Sequence, residues 1–529
     1  MKSMSERRSR SIVLVVSDLH FTNGRDPATQ RWSVTEDFFW DDEFRDFLRY
    51  FGRGGACTLV VNGDWLDFMQ VLTLPSPEER EQYGIPVRDV SRLYGLRCSQ
   101  QAAEFQVERI MDGHPVFFQS VAEFLAAGNT VKVLKGNHDI QLYWPGVQGR
   151  IVRRLAALVP RRRRSAVMDG VEFLPWCYLV PGLVYVEHGN QFEEACAFRN
   201  FLIPELPSKT PERNRYLELD LASLLVRYLT NRVEPVNPLA DNVRPLSDFY
   251  LMLAKKNPVF ALRTFGTALR YVLKACAKAA QMRTGRARAA WRRIDAKNLE
   301  AIAAEAHRFS GDNRTLSAKL SAAFPRLYGT TPTPILEQGP ARFLWSVARR
   351  PLRWALWLVP LYVLTFLPDV ARWILRTVDA MEWKWGSDVL HVLDSLNLLS
   401  IGLFVLVLGL TLLALRILSR RRPRQAGSTS VPDVSMAMRN YADSIAQELQ
   451  VRYVSFGHTH YADTAPLANG GRYFNTGTWM GVLESREQLY REVHQFTFLK
   501  IEGEDAELLR WNPERRAPQP VIVMDLDPG

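Results

Sequence analysis

The chain has 529 residues, 47% of them hydrophobic and 23% charged, a balance that excludes a disordered tail and allows more than one simple domain. Lys and Arg outnumber Asp and Glu, 67 to 56, for a net charge of +11, which favours phosphates, nucleic acid or anionic lipid as partners without choosing among them. The five cysteines are odd in number, widely spaced and without a CxxC pair, so neither a disulfide framework nor a zinc finger is expected, and a reducing compartment is the simpler reading.

The opening MKSMSERRSRSIVLVV sets basic residues before apolar ones, as a secretory signal would. Its apolar run, Ile12 to Val16, is too short for a signal core and ends without a small-residue cleavage site. A cytosolic start is expected, with a first β-strand over Ser11–Ser17. Runs of β-branched residues and leucine predict further strands at Cys57–Asn62, Thr130–Lys135 and Leu183–Glu187. Amphipathic spacing predicts helices near Thr35–Phe51, Gln101–Ala127 and Val147–Leu158. This alternation predicts an α/β core. From about 195 to 330 strand signals nearly vanish, and LASLLVRYL, ALRTFGTALRYVLKACAKAAQM and NLEAIAAEAHRF read as helices. Strands return at Val451–Phe456 and Gly471–Asn475, followed by VHQFTFLKIEG and DAELLRW.

Polar clusters follow the apolar runs. SDLH carries Asp18 and His20, GDWLD carries Asp64 and Asp67, and GNHD carries Asn137, His138 and Asp139; EHG carries His188, and GHTH carries His458 and His460. Strand ends of an open α/β sheet converge on one crevice, so residues remote in sequence can share a site. Along extended chain, residues i and i+2 point the same way, so Asp-x-His and His-x-His can each address one ion. Asp, His and Asn without thiolate suit manganese, iron or zinc. There are too many candidate ligands for one tetrahedral ion, and two divalent metals are the natural count. Such a pair can activate a bridging water and stabilise both oxygens of an in-line displacement at phosphorus.

The ordered series resembles that of the calcineurin-like metallophosphoesterases, D-x-H, G-D-x-x-D, G-N-H-D/E, H and G-H-x-H. The resemblance covers about 1–195 and 440–510 and implies a four-layered α/β/β/α sandwich. It also implies that Asp18, His20 and His460 hold one metal, that Asn137, His188 and His458 hold the other, and that Asp64 bridges them. His138 would be the general acid or electrostatic stabiliser of the leaving oxygen, oriented by Asp139, with Asp67 behind the metal ligands. Gly63, Gly136 and Gly457 would permit the turns that deliver ligands. His114, His307, His391 and His494 are expected to be structural and Cys177 and Cys196 to be packing residues, while Trp144 and Trp176 flank the motifs and are read as either substrate contacts or core.

The domain plan is therefore a first catalytic part over 1–195, a helical insertion over 196–345, a transmembrane hairpin over 346–425 and a second catalytic part over 426–529. Leu396 to Leu415 is twenty residues without a charge, long enough for the ~30 Å hydrocarbon core. A shorter apolar run spans Trp354 to Leu367. His188 precedes both runs and His458 follows them, so a shared metal requires an even number of crossings. Arg349, Arg350 and Arg353 before the pair and Arg416, Arg420, Arg421, Arg422 and Arg424 after it place both catalytic parts in the cytosol, at the cytoplasmic membrane. The rival reading is a re-entrant or surface-lying pair, or a helix buried in a soluble core. Two arginine-rich stretches, Gly149–Arg164 and Arg283–Arg293, are candidate contacts for lipid headgroups or substrate phosphates.

The expected function is a membrane-anchored, two-metal hydrolase of a phosphoester or pyrophosphate, with a lipid-linked substrate favoured by the anchor and by similarity of SDLH and GHTH to UDP-diacylglucosamine pyrophosphohydrolases. A metal-dependent nuclease or phosphodiesterase is one alternative, although no recognised nucleic-acid module accompanies the basicity. A non-catalytic scaffold on the same fold is the other.

Overall fold

The structure, a computed structural model, describes residues 12–54, 56–87, 89–207, 215–233, 243–244, 253–281, 285–338, 433–486 and 489–521. They belong to one compact unit built from both ends of the chain. The second unit, 340–430 with 526–529, lies outside the described residues, and so does the hairpin expected over 346–425. Among the described residues, no helix is long and apolar enough to cross a membrane.

In chain order the strands are β1 Ile12–Val16, β2 Cys57–Asn62, β3 Thr130–Leu134, β4 Val171–Leu174, β5 Tyr178–Val180, β6 Val184–Val186, β7 Val243–Arg244, β8 Tyr453–Phe456, β9 Ala462–Pro466, β10 Arg472–Thr476, β11 Gly481–Arg486, β12 Leu489–His494, β13 Thr497–Glu502, β14 Asp505–Asn512 and β15 Ala517–Pro520. The main helices are α1 Asp41–Phe51, α2 Gln100–Gly113, α3 Pro115–Ala126, α4 Pro145–Ala157, α5 Pro258–Gln281, α6 Gly285–Ser310, α7 Arg314–Gly329 and α8 Asp433–Leu449.

Two large sheets result, one ordered β15-β14-β13-β1-β2-β3-β4 and the other β5-β6-β8-β10-β9; β12-β11-β7 form a small third. β1, β2 and β3 run parallel, as do β6 and β8. Alternation of side chains sorts each strand between two cores. Val15, Val60 and Leu134 of the first sheet share an apolar cluster with Val184, Val186, Tyr453 and Phe474 of the second. Their neighbours Leu14, Val16, Leu59 and Val61 join Phe44 and Phe47 of α1 and Phe117 and Phe118 of α3. On the far side α8 packs on β8 and β10. The fold is mixed α/β, with its two sheets facing each other through one core and helices outside.

Several predicted elements are relocated for identifiable reasons. The first helix starts at Asp41, not Thr35, because Glu36 is occupied elsewhere: its carboxylate accepts from Thr22 Oγ1 and Gly24 N, both at 2.6 Å, and from Phe38 N at 3.0 Å. Asp41, Asp42 and Glu43 then supply the acidic first turn that a helix N-terminus favours. The long helix expected over Gln101–Ala127 is two, broken at His114, where Pro115 has no N–H to continue the ladder. LASLLVRYL forms one α-turn over Leu221–Leu225 and a π-turn over Val226–Thr230. Within the first arginine-rich stretch, Arg150 pairs with Glu104 at 2.9 Å, and Arg154 pairs with Glu108 and Asp112 at 2.8 and 2.6 Å, clamping α4 to α2. Arg161 to Arg164 remain exposed.

Candidate metal centre

All the predicted ligands lie just beyond the C-terminal ends of parallel strands: Asp18 and His20 after β1, Asp64 after β2, Asn137 after β3, His188 after β6, and His458 and His460 after β8. The extended spacing expected for Asp18/His20 and His458/His460 is not what brings them together. Asp18, His20, Asp64, His458 and His460 hold φ at 54°, 50°, 49°, 71° and 61°, left-handed conformations that cost roughly 1–3 kcal/mol each outside glycine.

The surroundings enforce that strain. Leu19 N and His20 N both donate to Asp64 O at 2.9 Å. Thr478 Oγ1 donates to Asp18 O at 2.6 Å, and Gln495 Nε2 to His460 O at 2.7 Å. Of the three expected turn glycines only Gly63 has a positive φ, 75°. Gly457 is required by proximity instead, since a Cβ there would stand 2.6 Å from Asp18 Oδ2.

The side chains form two adjoining groups that could each hold a cation, Asp18/His20/His460 and Asp64/His188/His458. Asp18 Oδ1 is 3.4 Å from His460 Nε2, and Asp64 Oδ2 lies 3.8 Å from His20 Nε2 and 3.1 Å from His188 Nε2. Asp64 thus touches both groups. The donor chemistry fits divalent ions. Asp18 Oδ1, His20 Nε2, Asn137 Oδ1 and His188 Nε2 are buried without a hydrogen-bond partner, although such atoms ordinarily cost about 1–3 kcal/mol each when left unpaired. The 3.1 Å approach of His188 Nε2 to Asp64 lacks the alignment of a hydrogen bond. His188 Nδ1 donates to Asn62 O at 2.8 Å, which leaves Nε2 to serve as the ligand.

The carboxylates and imidazoles hold one another in their charged forms. Burial alone would raise the Asp18 and Asp64 carboxyls, but the neighbouring histidines hold both well below the usual range. For His188, burial works against the charged form, and Asp64 outweighs it to bring the imidazole to about 9. A metal binding here would displace the imidazole protons that the carboxylates otherwise hold.

His138 stands at the mouth, its side chain 16% exposed where those of Asp18 and His188 are fully buried. Its Nδ1 is 2.6 Å from Asp67 Oδ2, and its backbone N donates to Asp64 Oδ1 at 2.9 Å. The carboxylate on this ring is therefore Asp67, not Asp139 as expected. Asp139 turns away to accept from Gly136 N at 2.5 Å and Trp65 N at 2.8 Å, tying the loops after β2 and β3 together. Burial depresses the His138 imidazole, and Asp67 with Asp64 reverses this to about 9. At neutral pH the ring is therefore an imidazolium, with Nδ1–H on Asp67 and Nε2–H left outward.

Two acids in the site escaped the sequence reading. Glu193 Oε2 lies 2.9 Å from His458 Nε2; a carboxylate can only accept, so Nε2 carries the proton and Nδ1 is left for an ion. Asp220 comes from the helical insertion. It is 2% exposed, caps Ser223 N at 3.0 Å through Oδ1, and keeps Oδ2 without a partner. Next to it, Ser223 Oγ donates to Asn137 O at 3.4 Å, so the insertion forms one wall of the centre. Glu193 lies beyond the motif HG by a spacing that has no local signature, and Asp220 looks like an ordinary helix cap. Cys196 sits beside Glu193 and His458, but burial holds its thiol well above the usual range, which makes it a poor ligand. Trp144 and Trp176, at 1% and 3% exposure, are core residues.

No family model, curated protein or solved structure matches the chain.

Proposed function

We propose that the chain is a two-metal phosphohydrolase of the calcineurin-like kind, cleaving a phosphoester or pyrophosphate bond. The observation that carries this reading is the meeting of five strained ligand residues and four unpaired buried donor atoms at the ends of strands from two sheets. Asp18, His20 and His460 would hold one ion, Asn137, His188 and His458 the other, and Asp64 both. Bound there, two divalent ions supply an activated water and neutralise charge on the phosphoryl oxygens. His138 gives its Nε2 proton to the leaving oxygen, and Asp67 fixes the ring and stabilises its charge. Ser223, on the Asn137 carbonyl, helps to keep water from that side.

The membrane belongs to the same proposal. The uncharged Leu396–Leu415 run and its arginine flanks support two crossings with the catalytic parts in the cytosol, and hence a phosphate-bearing substrate carried in the lipid phase. A cysteine placed at Ser387 then reacts with an impermeant reagent from outside, and one at Ser430 reacts only after permeabilisation.

The decisive experiment is a hydrolysis panel of phosphomonoesters, phosphodiesters, pyrophosphates and phospholipids with added manganese, alongside the metal content of the purified chain. Manganese-dependent turnover with two ions bound supports the reading. A chain that binds no divalent metal overturns it in favour of a scaffold, and turnover confined to DNA or RNA overturns the lipid-linked substrate.

A further inference from the structure

Helix α5 presents three stripes. Ala261, Thr264, Ala268, Val272 and Cys276 are buried against residues 221–230 and Ile335–Gln338. At 100° per residue these five occupy an arc of about 120°. A second stripe is aliphatic and bare, with Leu262 76%, Val259 59% and Leu269 42% exposed. The third adjoins it and is cationic: Arg263, Arg270, Lys274 and Lys278, with no Asp or Glu anywhere in Pro258–Gln281. Exposed Lys255 and Lys256 immediately precede the helix.

We infer that this face of α5 docks on an anionic lipid surface, the aliphatic stripe entering the headgroup boundary and the cationic stripe meeting lipid phosphates. A helix lying in a membrane interface needs this pairing of apolar and basic faces. The other occupants fit less well. A two-fold contact with a second copy would set this acid-free cationic stripe against itself. A nucleic acid would use the cations and leave Leu262, Val259 and Leu269 with nothing to cover them.

The placement also reaches the metal centre. α5 packs on the 221–230 segment, whose Ser223 bonds the Asn137 carbonyl, so one packed element separates the lipid-facing stripe from the ligand loops. Docking here does not rest on the spanning pair proposed for 354–415, and adds a second contact that sets the orientation of the catalytic unit at the bilayer.

The test uses the full chain with Leu262→Cys carrying an environment-sensitive fluorophore and Thr315→Cys on α7 as the control. The five native cysteines are buried and should stay unlabelled. The chain is reconstituted with phosphatidylcholine vesicles, with and without phosphatidylglycerol. Severalfold brightening and a blue shift are expected at 262 with phosphatidylglycerol, a much smaller response without it, and none at 315. The double change Arg263→Glu and Arg270→Glu should abolish the preference for phosphatidylglycerol.

Floating of the chain with vesicles but no response at 262 overturns docking while leaving the spanning pair intact. An equal response in both vesicle types overturns the role of charge. A response to added duplex RNA that exceeds the response to lipid assigns the face to nucleic acid instead. A chain that floats with neither vesicle overturns both the docking and the spanning pair.

Discussion

Among the described residues, two regions bury histidine among carboxylates, and only one groups side chains that could hold a metal ion. At the strand ends, His20 and His188 face Asp18 and Asp64 with Nε2 atoms that find no hydrogen bond, and Asp18, His20 and Asp64 sit on left-handed backbone. Beneath α1, His114 lies between Asp41, 3.0 Å from Nδ1, and Glu36, 3.3 Å from Nε2, stacked on Phe21 at 4.5 Å between ring centres. There the carboxylate is already satisfied: Glu36 accepts from the backbone or hydroxyls of Thr22, Gly24 and Phe38. His114 belongs to none of the groups that could hold a metal among the described residues. Burial and charge pairing are common to both regions. An imidazole Nε2 without a hydrogen bond is common to both as well, in His20, His188 and His114 alike. Left-handed backbone and the unpaired oxygens of Asp18 and Asn137 are what distinguish a site that could take a cation from a closed ion pair.

The largest test of this distinction is Asp64→Ala. Asp64 touches both ligand groups, so manganese should fall from two ions per chain to less than one, measured by elemental analysis, with turnover below detection. Wild-type occupancy in this variant would remove Asp64 from its bridging position. His138→Ala should separate chemistry from assembly, keeping both ions while losing on the order of 10²–10⁴-fold in kcat. If it loses metal as well, His138 belongs to the ligand set and not to the leaving-group side.

Glu193 sharpens the comparison at its edge, because it holds His458 as Asp41 holds His114, yet His458 belongs to a group that could hold a metal. Loss of a carboxylate behind a ligating histidine typically weakens metal affinity by roughly 10–100-fold. Glu193→Ala should therefore weaken the binding of one ion, seen by calorimetric titration of the apoprotein. Glu193→Gln, whose carbonyl oxygen can still accept from Nε2–H, should recover most of that loss. Equal weakening in both variants would mean that the carboxylate itself coordinates.

The loops that converge at the strand ends were legible in the sequence because each sets polar residues two or three positions past an apolar run. β2 was bounded at Cys57–Asn62 by its β-branched run alone. Tertiary pairings were not legible. Asp67 and Asp139 are both acids near His138 in their motifs, and nothing local says that β2's loop, not β3's own, supplies the partner to that ring. The Thr35–Trp40 segment reads as helix until Glu36 is seen serving the loop after β1. Glu193 comes from the loop after β6 at a spacing with no local signature, and Asp220 reaches the site through packing of the insertion, which periodicity describes only as helical. The basic run at Gly149–Arg164 illustrates the same limit, since Arg150 and Arg154 are spent on α2 acids that the linear charge pattern does not reveal.

The smallest expected effect on function belongs to His114, and it shows most clearly in stability. Burial disfavours the imidazolium, but Glu36 and Asp41 outweigh that and raise it from 6.5 to about 9. A pKa raised on folding means that the folded state binds the proton more tightly, so the contribution is complete below about pH 6.5 and disappears as pH rises through about 9. Over that window it amounts to about 3 kcal/mol. His114→Gln should leave metal content and turnover at parental levels. In urea denaturation of the metal-saturated protein, the stability gap between parent and variant should shrink by about that amount from pH 6.5 to pH 9. Metal linkage is common to both proteins and cancels in the difference. A gap that stays constant across this range would mean that His114 is neutral in the fold, and a variant that loses manganese would erase the contrast between the two regions.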